Sequence, residues 1–152
     1  MNTVRRTVSA ACAMILLLAA VPVWAEESDS AKDAKAMLER AVAAVKMDEA
    51  KALAAFNIGS GGFKDRDLFV FCARLDGRID AHIDPTQLGG NLRDLYDVNG
   101  VAIGQEMLAI AREGEINAVS YMWPKLGSRV PAEKVSFVTR VADQICGVSY
   151  YR

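Results

Sequence analysis

The stretch DLFVFCARLDGRIDAHI, residues 67–83, constrains this chain more than any other. Its first half, DLFVFCARL, is rich in the β-branched and aromatic residues that suit a pleated, half-buried surface. Asp76-Gly77 follows, a pair that accepts the positive φ of a tight hairpin turn. RIDAHI then alternates, with Ile79, Ala81 and Ile83 set against Arg78, Asp80 and His82. Side chains two apart share a face of a strand. The second half therefore reads as a strand with the three aliphatics on its buried face and His82 on the other. A hairpin over 67–83 commits the chain to antiparallel sheet, and the sheet needs a cover.

The segment before the hairpin supplies one. Ala34, Leu38, Ala41 and Val45, with Met37 and Val42 beside them, fall at helical spacing along one stripe. Ser30 is placed to cap that helix, and residues 26–33, EESDSAKD, read as a polar, flexible lead-in. Asp48 is placed to cap a short second helix, EAKALAAFN, that ends near Asn57 and Gly59. One long broken helix and two in series both fit. GSGG at 59–62 is a connector. After the hairpin, residues 84–100 are rich in Pro, Gly and Asn and read as loop. A helix over about Ala102–Arg112 puts Ile103, Met107 and Ile110 on one face, with Gly114 as its stop. INAVSYMW (116–123), EKVSFVTRV (133–141) and ICGVSYY (145–151) read as strands. Most strand connections are short, so the sheet is expected to be mostly antiparallel.

The first 25 residues are of another kind. Arg5 and Arg6 precede an apolar run to about Val21, and Val23-Trp24-Ala25 makes a small-residue site before Glu26. This is the build of a secretory signal peptide, cleaved after Ala25, and it implies a periplasmic or secreted protein. The run is short for a membrane span of about 20 residues, and an uncleaved anchor is the competing reading. Cys12 lies inside the run rather than after it, which argues against lipoprotein processing. Loss of Arg5 and Arg6 leaves 16 basic against 19 acidic residues, about −3, so nucleic acid is not an expected partner. Cys72 and Cys146 would remain in an oxidising compartment, where two cysteines more often pair than stay free. They are too distant in sequence, and too poor in histidine company, for a zinc site.

LFVFCARLDGRIDAH, LGGNLRDLYDVNG, VSYMWPK and the pair EKVSFVTRV and CGVSYY follow one another in an order that resembles the single Cache domain. These are extracytoplasmic small-molecule sensor modules with a PAS-like sheet behind a long N-terminal helix. The resemblance covers about residues 34–152. It implies an α+β domain: a long N-terminal helix packed on a five-stranded antiparallel sheet of order 2-1-5-4-3. It also implies a ligand between one sheet face and the covering loops and helix. With the first and last strands adjacent, Cys72 and Cys146 could face each other across them. One departure stands out. Cache domains usually lie between two membrane helices of a receptor, and this chain stops at Arg152, directly after its last strand. It would therefore act through a partner.

The chemistry-bearing residues divide accordingly. His82, the sole histidine, reads as a polar residue on a part-exposed face or as a pocket residue, since the family has a histidine here. A catalytic or metal role would need partners that one histidine lacks. Tyr121 and Trp123 share a strand face, as core or as the wall of a ligand slot. Lys134, Ser136 and Val138 share a face opposite Val135 and Phe137. A lysine between aliphatics calls for a wet face or a partner, and the resemblance sets it beside the Tyr-x-Trp strand, where it could meet an anion. DVNG (97–100) lacks the rest of a calcium loop and reads as a turn. Glu106 and Glu113 read as solvated. No nucleophile elbow or phosphate loop is present, and no cofactor is implied.

The expected protein is thus a non-enzymatic exported module. It would bind a small organic molecule, a carboxylate fitting best, through His82, Tyr121, Trp123, Lys134 and Ser136. A membrane receptor or transporter would be its partner. The competing reading is a structural or interaction domain that binds no small ligand.

Overall fold

A computed structural model of the chain describes residues 29–125 and 127–152. The segment read as a signal peptide lies outside the described residues. Helix α1 (Asp29–Met47) already runs at the first described residue. Ser30 therefore lies within the helix, not at its cap, and the helix reaches into the segment expected to be flexible. The helix is long enough because Ala31 joins Ala34, Leu38, Ala41 and Val45 in one buried stripe. α2 (Glu49–Ile58) follows in series. Asp48, in extended conformation, accepts from the Lys51 N–H at 3.1 Å and so starts a new helix at the expected cap. Gly59, at φ +66°, ends α2 with its N–H turned back to Ala55 and Phe56.

The strands are β1 (Lys64–Asp65), β2 (Leu68–Arg74), β3 (Ile79–Ala81), β4 (Asn117–Pro124), β5 (Pro131–Val141) and β6 (Gln144–Tyr151). They pair antiparallel in the order β3-β2-β6-β5-β4, which is the expected 2-1-5-4-3. The two-residue β1, just after the 59–62 connector, pairs with the start of β2. β2 and β6 bring Cys72 opposite Cys146, and the two form a disulfide across a Cα separation of 4.1 Å.

The sheet separates two apolar layers. α1 covers one face, against Val70, Cys72, Val135, Cys146 and Val148. On the other face Phe71, Ala73, Val119, Val138 and Ile145 meet Leu92, Ile103 and Met107. The last two come from α3 (Ile103–Ile110). α3 stops sooner than its apolar spacing allows. The Arg112 carbonyl is taken by the Arg140 N–H at 3.1 Å and the Thr139 hydroxyl at 3.0 Å, so the backbone leaves the helix to join β5. Gly114 (φ +79°) serves the turn between Arg112 and Glu115 instead of the helix end.

Two local departures shape the second face. β3 carries a bulge: Cys72 faces Ala81 and Ala73 faces Ile79, so three residues span two. Ile79 then packs with the second layer and Ala81 with the first, which overturns the expectation that they share a face. The turn 97–100 does form, but Asp97 does more than close it. Its carboxylate accepts the amides of Asn99 at 2.8 Å and Val101 at 3.0 Å, and Met122 of β4 at 3.3 Å. The Val101 amide, with those of Met122 and Asn99, holds this carboxyl below the usual range. Segment 91–101 is thereby fastened along the sheet edge.

Candidate functional site

The second face is only partly filled. Between it and segment 84–95 lies an open-sided cavity of about 1080 Å³. β2 contributes Phe69 and Phe71, β4 contributes Tyr121 and Trp123, β5 Lys134, and β6 Ser149 and Tyr151. Each pair lies two apart on its strand, so pleating alone aims it inward. His82 enters from the end of β3, since it follows Ala81, which the bulge turns toward the helix layer.

Lys134 is the central charge. It lies directly opposite Tyr121 on β4 and Tyr151 on β6. Its Nζ stands 5.0 Å from the Tyr151 ring centre and 5.8 Å from that of Phe69, within cation–π range. Among the described residues no carboxylate lies within 4 Å of it. Burial pushes its pKa down to about 8, against the opposing pull of Asp67. The ammonium is thus half-buried, walled by aromatic rings, and short of a hydrogen-bonding anion.

His82 stands edge-on to Phe69, with ring centres 5.0 Å apart. Its Nδ1 lies 3.0 Å from the Asp84 amide nitrogen and 3.2 Å from the Asp84 carbonyl oxygen, and burial pushes its pKa below 6.5. Asp84 acts against that shift and Lys134 acts with it. A neutral ring whose Nδ1 accepts the Asp84 N–H carries its proton on Nε2, and one whose Nδ1 donates to the Asp84 carbonyl leaves Nε2 an acceptor. Tyr121 and Trp123 meet edge to face at 6.2 Å. The Tyr121 hydroxyl lies 2.8 Å from Ser136 Oγ, which lies 2.6 Å from Ser149 Oγ. Burial raises the Tyr121 pKa, so it stays a phenol. Three hydroxyls joined by two bonds use two protons; the fully buried Ser136 has to donate to one neighbour, so the spare O–H donor is at Tyr121 or Ser149, the two ends that reach the cavity.

Four of the five expected site residues, His82, Tyr121, Trp123 and Lys134, therefore line one cavity. Ser136 does not. It is fully buried one layer below, as the link between Tyr121 and Ser149. Phe69, Ser149, Tyr151 and segment 84–95 had not been singled out. The strands carried part of the signal: Phe69 and Phe71 alternate against Val70 and Cys72, and Ser149 and Tyr151 against Val148 and Tyr150. Among the described residues no three His, Cys, Asp or Glu side chains are grouped to hold a metal ion.

A family model described as Cache domain matches residues 29–143, well over half of the chain. A methyl-accepting chemotaxis protein from Vibrio parahaemolyticus superposes with a TM-score of 0.64 at 23% identity, over 79% of this chain and 86% of that one. A periplasmic sensor domain of a chemotaxis protein gives 0.59 at 28%, over 79% and 88%. A Cache chemosensory domain solved for its carboxylic acid recognition gives 0.58 at 24%, over 79% and 86%. In sequence, 48 residues are 38% identical to the methyl-accepting chemotaxis protein McpP of Pseudomonas putida; they make up 32% of this chain and 9% of that protein.

Proposed function

Because this chain belongs to the Cache domain family, we propose that it is an extracytoplasmic module that binds a small organic carboxylate, without catalysis, in the cavity between the sheet and segment 84–95. The observation that carries the reading is Lys134, a half-buried ammonium between two aromatic rings with no carboxylate within 4 Å among the described residues. A ligand carboxylate would supply the missing charge-assisted bond. His82 Nε2–H, in the tautomer whose Nδ1 accepts the Asp84 N–H, and the spare hydroxyl proton at Tyr121 or Ser149 would be further donors. Phe69, Trp123 and Tyr151 would enclose the apolar part. The carboxylic acid recognition of the related Cache chemosensory domain favours the same ligand class.

Periplasmic placement is part of the proposal. It draws on the leader-like residues 1–25 and on the periplasmic sensor domain that shares the fold. Mass spectrometry of the periplasmic fraction should find a chain beginning at Glu26; a full-length product in the inner membrane would contradict it. A membrane receptor or transporter is the proposed partner.

A thermal-shift screen of short mono- and dicarboxylates against amines and amino acids tests the ligand class. A molecule bound only by the folded state raises stability as RT ln(1 + [L]/Kd), about 2.7 kcal/mol at a hundredfold excess over Kd. Carboxylates should raise the melting temperature. A shift from amines alone would overturn the ligand class, and no shift from anything in the screen would favour a domain that binds partners only.

A further inference from the structure

Asn57 sits in the last turn of α2, half-buried, with its carboxamide against β3. Nδ2 donates to the Asp80 carbonyl at 3.3 Å, and Oδ1 accepts the His82 N–H at 2.9 Å. A carbonyl and an N–H two residues apart are the two groups that one residue of a parallel neighbouring strand would take. A helix side chain thus completes the strand edge around Ala81. The other end of α2 is tied to the same place. Gln144 Nε2 donates to Glu49 Oε1 at 3.2 Å and to Asp80 Oδ2 at 3.3 Å. α2 grips β3 from both ends, with Asp80 as the common point.

Just past that grip the chain enters the cavity wall. His82 is pinned at its backbone by Asn57 and at its ring by the Asp84 backbone. Its ring packs on Phe69. The charged groups that act on it are Asp84 from its own loop and Lys134 from β5; α2 offers only the neutral Asn57.

We propose that Asn57 is a positioning residue of the cavity: its carboxamide sets the backbone at Asp80 and His82, aims the His82 imidazole at a bound molecule, and ties α2 to what the cavity holds. The coupling rests on the reading of the cavity as a carboxylate site. The positioning does not. A molecule that bonds to His82 pulls on a strand end that α2 also holds, so the α1–α2 pair is the element through which occupancy would be felt outside the cavity.

The test begins without ligand. His82 is the one histidine of the chain, so its imidazole C–H signals in NMR are unambiguous. In Asn57→Ala the titration midpoint should move up toward 6.5 as the ring gains water. The His82 amide should exchange about tenfold faster or more, having lost its acceptor. Asn57→Asp keeps that acceptor and should keep the slow amide, although its charge disturbs the titration. A folded Asn57→Ala with an unchanged midpoint and an unchanged amide overturns the proposal. Equal amide exchange in Asn57→Ala and Asn57→Asp also overturns it, because a merely structural role would move both alike. The second arm uses acetate and malonate as probes. Asn57→Ala should bind the effective probe about tenfold more weakly than wild type, and equal affinity overturns the coupling. If neither probe stabilises the wild type, the carboxylate reading fails and the coupling with it; the two ligand-free measurements still decide the positioning.

Discussion

At the scale of single residues, Lys134 sets the expectations. Lys134→Met keeps most of the stem and removes the charge. The bond to a carboxylate is worth about 1.5–3 kcal/mol, so the variant should lose roughly ten- to a hundredfold in carboxylate affinity, read by calorimetry. It should also be no less stable than wild type, because a half-buried ammonium without an ion pair is itself a burden. Equal affinity in the two proteins would remove the anion from the argument. The pH dependence follows from the same residue. In the unfolded chain the group titrates near 10.5, and in the fold at about 8. Below about 8 it is charged in both states and the burial penalty is fully present. The unfolded state holds the proton longer, so this group's contribution to stability rises with pH between about 8 and 10.5, by about 3 kcal/mol. Binding has the opposite sign. A carboxylate needs the ammonium, so affinity should be level below about 8 and fall by up to tenfold per pH unit above it. Affinity unchanged from pH 7 to 9.5 would show that Lys134 does not hold the ligand. Lys134 was visible in the sequence as a charge between aliphatics. The demotion of Ser136 was not, since strand period shows which face a side chain takes, not how deep it lies on that face.

At the scale of elements, α3 and the short 3₁₀ turn Leu92–Asp94 form the far wall of the second layer. They touch at Gly104, where an added Cβ would stand 1.6 Å from the Leu92 carbonyl oxygen and 3.1 Å from Leu95 Cβ. No rotamer change relieves contact with a backbone atom. Gly104→Ala should therefore push α3 and segment 92–95 apart and cost on the order of 2 kcal/mol or more, measured by chemical unfolding. It should weaken carboxylate binding too, because Leu92 and Leu95 line the cavity. A variant with wild-type stability would mean that the wall is loose in solution. α2 and α3 also show how far local signals carry. Asp48 and Gly59 bound α2 where the sequence placed them, because caps act on amides within one turn. The end of α3 was misjudged because its competitor, the Arg140 amide, is distant in sequence.

At the scale of the whole molecule, the sheet divides a dry side from an open one. The Cys72–Cys146 bond lies with α1 on the dry side and closes a loop of sequence separation 74. Chain entropy sets its contribution at no more than about 4.5 kcal/mol. Cys72→Ala with Cys146→Ala should lower stability by an amount up to that limit in urea unfolding. Carboxylate affinity should be unchanged, since the sheet stands between the bond and the cavity. A marked loss of affinity in the double variant would show that the two sides are coupled through the sheet. By itself the sequence determined the types of the main elements, the hairpin, the turn at Asp97 and the shared faces of Tyr121 with Trp123 and of Lys134 with Ser136, all of which depend on neighbours within a few residues. The strand order was legible through family resemblance, not through periodicity. Tertiary structure alone decided the bulge that parts Ile79 from Ala81, the Asn57 contact with β3, the hydroxyl chain under Tyr121 and the cover from segment 84–95. All but the bulge join residues far apart in the chain, and the bulge adds one residue to a strand and so reverses every face after it, which counting by twos cannot foresee.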